Sequence, residues 1–182
     1  MYDMKRAFFI FIATTLVMCQ TVHAEPISLT SDQLSQIKQN CSRVKTTLAR
    51  IHASDGLLRV NQGQQYETIA TKLMAPLNSR IALNQLDGVD MAKTTVDYNT
   101  QLTKFRDEYR LYEEKLSNLL RTDCSNEPYN FYKLIKPTRD QRARVATAIT
   151  KLNRLIKQYK SQLETFYTKT FPTHKETPRN AQ

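Results

Sequence analysis

A chain of 182 residues with only three glycines has few places for tight turns, and no stretch alternates apolar and polar residues between turn signals; helix formers dominate, so the fold class is all-α. The formal charge of +10 is one-sided: residues 25–128 hold 13 Lys plus Arg and 13 Asp plus Glu, whereas residues 129–182 hold 12 basic and 3 acidic. Length and composition thus exclude a β-protein and a pair of domains, and place the net charge in the last third of the chain.

At the amino terminus Lys5 and Arg6 precede an apolar run over 7–18, and Val22 and Ala24 stand where a signal peptidase reads. Residues 1–24 therefore read as a secretory signal peptide cleaved after Ala24. The run is well short of the roughly 20 residues that span a bilayer. Cys19 with Leu16 three residues before it suggests a lipid-attachment signal, but Met18 occupies the position that such a signal gives to a small residue. Cys19 leaves with the signal, and the pair Cys41 and Cys124 remains. In an oxidising compartment an isolated pair is expected to form a disulfide, the alternative being a buried free thiol at Cys41.

The helical domain is expected over 25–171. Thr30 and Gln33 have the spacing of a capping box, which predicts a helix start. Leu34, Ile37, Cys41, Val44, Leu48 and Ile51 then recur at three and four residues, the pattern loosens through Asp55, Leu58 and Gln62, and it resumes at Tyr66, Ile69 and Leu73 one residue out of phase. Either a turn at Asn61, Gln62 and Gly63 makes a four-helix up-down bundle, or one long helix absorbs the slip as an eleven-residue step. The cysteines arbitrate. In the four-helix arrangement Cys41 and Cys124 fall at opposite ends, whereas a long first helix turning near residue 83 or 84 brings them opposite one another, as a disulfide needs. The expectation is an elongated antiparallel bundle of three long helices with coiled-coil-like seams. Pro76 is expected to begin the ending of the first helix, Leu86-Asp87-Gly88 to make the corner, and Asp90 to cap the next helix.

Over 89–120 the residues Met91, Thr95, Tyr98, Leu102, Phe105, Tyr109, Tyr112, Leu116 and Leu119 lie on one seam of a rod roughly 50 Å long, which requires partner helices on its flanks. After Cys124 a turn leads to Pro128 at a first helical position. Pro137 is expected to kink or interrupt the helix that starts there, with Thr138 and Gln141 repeating the capping-box spacing. Val145, Ile149, Leu152, Ile156, Tyr159, Leu163 and Phe166 make a third seam, and residues 172–182 read as a flexible tail.

The runs Leu57-Leu58-Arg59-Val60-Asn61 and Lys72-Leu73-Met74-Ala75-Pro76-Leu77-Asn78, followed by Leu86-Asp87-Gly88 and the Cys124 segment, resemble a group of uncharacterised secreted all-helical bacterial proteins. The resemblance implies the fold and the export route and brings no activity with it.

No catalytic constellation stands out, and neither a catalytic residue, a metal nor a cofactor is expected. His52 and His174 have no second ligand at a metal-binding spacing. His52 and Asp55 are spaced to meet on one helix face as a base and its orienter, but a surface hydrogen bond near a helix seam is the preferred reading of that spacing. Asp107, Glu108, Glu113 and Glu114 read as a solvated face paired with Lys104, Arg106, Arg110 and Lys115 rather than as paired catalytic carboxylates. Tyr98, Tyr109 and Tyr112 read as core with hydroxyls reaching an edge, the alternative being a ligand groove.

The nearest approach to a functional surface is a basic stripe, Arg142, Arg144, Lys151, Arg154, Lys157 and Lys160, with no acidic residue between Asp140 and Glu164. Arg144, Lys151, Arg154 and Lys157 are expected to face outward, with Arg142 and Lys160 on the flanks. Two functions compete. One is an exported, non-enzymatic interaction or structural protein of the cell envelope or extracellular space. The other is a low-specificity binder of anionic polymer or anionic membrane surface through this stripe, with peripheral membrane contact but no specific nucleic-acid recognition, because no aromatic residue is interleaved to stack bases. A solvated face that serves solubility is the alternative reading of the stripe.

Overall fold

The computed structural model describes residues 28–172 and shows an all-helical chain of three rods. The signal peptide expected over 1–24 lies outside the described residues, as does the expected tail apart from Pro172.

The first rod is continuous. α1 (Ser31–Thr68) passes through a π-helical segment (Ile69–Met74) into α2 (Ala75–Leu83) with no turn at Asn61 or Gly63, so the chain has the three-rod arrangement and not the four-helix alternative. It opens on the capping box: Gln33 N–H donates to Thr30 Oγ1 at 3.3 Å, and Thr30 N–H to Gln33 Oε1 at 3.0 Å. Pro76 does not begin its ending. The turn before Pro76 is widened, with Ala75 N–H reaching back to Ala70 O, and the rod runs on to Leu83. The extra residue in that wide turn also re-aims the seam. Asp55 and Tyr66 are buried an eleven-residue step apart, after which Ala70 and Met74 are buried, Ile69 packs partly buried against the core, and Leu73 is exposed.

The corner is a Schellman-type ending. Leu86 N–H donates to Ile81 O and Gln85 N–H to Ala82 O, and Gln85 takes the left-handed conformation at φ 55°. Gly88 is needed here, since a Cβ on it would lie 2.5 Å from Ile81 Cγ2. α3 (Val89–Arg121) then starts with Gly88 at its cap position and no side-chain cap; Asp90 lies in the first turn, where its charge suits the positive end of the helix dipole, and does not cap. All nine residues of the expected α3 seam are buried, joined by Thr94.

α4 (Pro128–Thr170) runs unbroken through Pro137. Pro137 and Lys133, whose carbonyl loses its helical donor, are both exposed residues, on the side of the helix away from the core. Thr138 and Gln141 form no capping box. They are buried instead: Thr138 Oγ1 donates to Leu134 O, and Gln141 Nε2 donates to Glu108 O at 3.1 Å and to Glu108 Oε2 at 2.6 Å, tying α4 to α3.

α3 and α4 lie in close apposition, while α1 runs parallel to α4 and stands farther from both. Polar pins fix the register. Tyr98 Oη donates to Tyr66 O, Asn78 Nδ2 donates to Thr95 Oγ1, and Tyr159 Oη donates to Asn78 Oδ1. At the end distal to the corner, Cys41 and Cys124 sit with their Cα atoms 5.5 Å apart, at disulfide-bonding distance.

Candidate functional site

Two regions collect charge. The first is the outer side of α4. Val145, Ala148, Leu152 and Tyr159 turn inward, so helical spacing turns Arg144, Lys151, Arg154 and Lys157 outward, and all four are exposed with no ion-pair partner among the described residues. Arg142 and Lys160, also exposed, are engaged: Lys160 Nζ lies 3.8 Å from Glu164 Oε1, and Arg142 reaches across to α1. The six stripe residues therefore divide into an unpaired outward row of four and two flanking cations that have partners.

The second region is a cleft of about 390 Å³ where α1, α3 and α4 meet at mid-length. Asp55, on the inward seam of α1, is the polar centre of its wall. Arg142 grips it through Nε to Oδ2 at 2.7 Å and Nη2 to Oδ1 at 2.9 Å, and Tyr112 Oη donates to Oδ2 at 2.7 Å. The Arg142 hydrogen bonds hold the Asp55 carboxyl below the usual carboxylate range, against the opposing effect of burial, and Asp55 in turn holds the Arg142 guanidinium charged. Burial first, and the bond to Asp55 second, push the Tyr112 hydroxyl up. One turn away Tyr109 Oη donates to Glu113 Oε2 at 3.1 Å, and burial with the Glu113 charge raises that hydroxyl to about 12. Arg59 lies over the Tyr109 ring at 5.3 Å. Leu58, Phe105, Val145 and Ile149 give the cleft apolar walls, Ala143 and Ala146 keep the α4 side low, and Arg139 stands beside Arg142.

The side chains that sequence spacing paired are dealt out differently. His52 and Asp55 do not form a dyad: His52 pairs with Glu113 of α3, and Asp55 is buried against Arg142 and Tyr112. Two carboxylates of α3 reach other helices, Glu108 accepting from Gln141 and Glu113 meeting His52 while it also accepts from Tyr109 of α3; likewise Arg106 of α3 pairs with Glu67 of α1. Tyr98, Tyr109 and Tyr112 are core residues with bonded hydroxyls, and Tyr109 and Tyr112 also line the cleft.

Sequence reasoning missed the Asp55, Tyr112 and Arg142 constellation, although a signal for it existed. Once Cys41 is set against Cys124 and α4 starts at Pro128, the parallel first and last rods are offset by 87 residues, and that offset places Asp55 opposite Arg142 and Tyr66 opposite Asn153.

No group of three or more His, Cys, Asp or Glu that could hold a metal ion occurs among the described residues, and no helix there is long and apolar enough to cross a membrane. No family model, curated protein or solved structure matches the chain.

Proposed function

We propose that this is an exported, non-enzymatic interaction protein of the cell envelope or extracellular space, and that it engages an anionic polymer through the outward side of α4. The observation that carries the reading is the row Arg144, Lys151, Arg154 and Lys157, exposed and without ion-pair partners, on a helix whose described acidic residues are Asp140 and Glu164 alone. Solubility does not require one sign of charge, and natural surfaces usually mix both. From Arg144 to Lys157 the row covers roughly 20 Å of helix, a length suited to several successive charges on an extended polyanion. Export rests on the leader motif around Ala24 and on the resemblance to secreted helical proteins, with the close approach of Cys41 and Cys124 as support.

Binding of this kind is weak, independent of sequence and steeply salt-dependent. The test replaces Arg144, Lys151, Arg154 and Lys157 with glutamine and measures retention on polyanion columns and anionic vesicles over a salt series. The expected result is loss of low-salt retention in the variant, with the slope of log affinity against log salt reduced by about 3 to 4 on a nucleic-acid duplex. If the native protein is not retained at low salt, or the variant is retained as well, the row is a solvated face and the proposal fails.

A further inference from the structure

We infer that the mid-length cleft between α1, α3 and α4 is a binding site for an apolar carboxylate, a small ligand with an acyl or aryl body and one anionic head. This does not rest on the α4 row, with which it shares no tested residue.

The argument starts from what the cleft offers. Its volume of about 390 Å³ lies in the range of small-molecule sites, and its walls are apolar on all three helices, with Leu58 from α1, Phe105 from α3 and Val145 and Ile149 from α4. Leu58 remains 51 % exposed although it sits at a helix junction, so an apolar surface there is left uncovered by the protein itself. Polar groups at the cleft are donor-rich. Arg59, Arg139 and Arg142 bring three guanidinium groups against one carboxylate, Asp55, whose two oxygens are already taken by Arg142 and Tyr112. A ligand that brings acceptors only, on a planar anionic head, complements that set.

Arg142 is built for the task. Its Nε and Nη2 are committed to Asp55, which fixes the plane of the guanidinium and leaves Nη1 to donate on the other side; the side chain is about half exposed. A group oriented by a buried partner loses little freedom when a ligand arrives. Arg59 is likewise steered, by its position over the Tyr109 ring. Ala143 and Ala146 face the same space, and a larger side chain at either position would fill it.

The test follows side-chain methyl resonances of the intact, oxidised protein while octanoate or octan-1-ol is added below its aggregation limit. Octanoate is expected to saturate at roughly millimolar concentration, as suits so small a ligand, with shifts at Leu58, Ala143, Ala146, Val145 and Ile149. The double variant Arg59→Gln/Arg139→Gln should weaken octanoate roughly tenfold and leave octan-1-ol unchanged. Ala146→Trp should abolish both, with its melting curve showing that the fold persists. Arg142 is left intact in these variants because its loss would strand Asp55. Equal binding of acid and alcohol, unsaturated shifts, or an Ala146→Trp variant that binds as well as the native protein would each overturn the inference. An anionic bilayer also presents negative charge beside acyl chains, as the phosphate of its head groups. Binding to phosphatidylglycerol vesicles with no saturable response to octanoate would assign these cations to a membrane surface and overturn the cleft as a ligand site.

Discussion

At the scale of single residues, Asp55 is the charged residue buried among the described residues, with 9 % of the residue exposed in the middle of an otherwise apolar seam. Breaking a fully buried ion pair by removing one partner costs about 3–5 kcal/mol. Arg142 keeps 54 % of its side chain in water, and solvent screens it once Asp55 is gone. Asp55→Asn is therefore expected to destabilise by about 2 kcal/mol, and Tyr112→Phe, which removes one hydrogen bond and leaves the Arg142 grip, by about 1 kcal/mol. The dependence on pH has a definite sign. The folded state lowers the Asp55 pKa, chiefly through the Arg142 hydrogen bonds and further through Tyr112, with smaller help from the nearby His52 charge. A group depressed in this way contributes fully above its ordinary value of about 3.9, and the contribution is lost as pH falls through the folded value. Urea denaturation of the native protein and Asp55→Asn should thus show a stability gap that is wide near neutral pH and narrows below about pH 4. A gap that stays constant down to about pH 2 would mean that Asp55 contributes by shape and not by charge.

At the scale of elements, the rods themselves were legible because their signals are periodic and local. The α3 seam is buried at every position that four-and-three spacing picks out, and the Thr30 and Gln33 capping box forms as its spacing predicts. What spacing did not disclose were places where tertiary packing overrode a local stop signal. Pro76 and Pro137 both lie in exposed positions of helices whose opposite faces are packed, and in both cases the packed face keeps the helix running. Thr138 and Gln141 mimic a cap in sequence because capping residues and polar core residues are the same residue types; only the facing α3 backbone tells them apart. Two tests belong here. Gln85 holds a left-handed conformation that costs a side-chain-bearing residue about 1 kcal/mol, so Gln85→Gly should stabilise by roughly 0.5 kcal/mol after the glycine's added unfolded freedom is counted, whereas Gly88→Ala should destabilise by driving a methyl into Ile81. The π segment holds one residue more per turn than an α-helix needs. Deleting exposed Thr71 should therefore let Ile69–Met74 relax toward an ordinary helix with both flanks still in register, and its melting temperature should fall far less than on deleting exposed Thr103, which turns one half of α3 by about 100° against the other.

At the scale of the whole molecule, the bundle is unequal. α3 and α4 share a close apolar seam, whereas α1 buries only Cys41, Asp55 and Tyr66 fully and leaves Leu57, Leu58 and Val60 exposed. A rod with so little buried surface needs other ties. Near its carboxyl end it is held by the short corner into α3, at mid-length by the Asp55 and Arg142 pair, and near its amino end by the approach of Cys41 to Cys124. A bond between those two sulfurs closes a loop of 83 residues in sequence separation and is expected to stabilise by roughly 4 kcal/mol through restriction of the unfolded chain. Its local consequence is more telling than its total. With the cysteines joined, α1 cannot leave the bundle without bending between two fixed ends; with them reduced, its amino-terminal half is held mainly by partly buried Ile37, Val44 and Leu48. Non-reducing peptide mapping of the protein should recover Cys41 and Cys124 in one linked fragment. Hydrogen exchange should then show, on reduction, that amides of α1 between Cys41 and Asp55 lose protection first while the facing stretches of α3 and α4 keep theirs, since sub-global opening follows local contact density. Uniform loss of protection across all three rods would mean that α1 is an equal partner in one cooperative unit, and that the cysteine pair acts on the unfolded state alone.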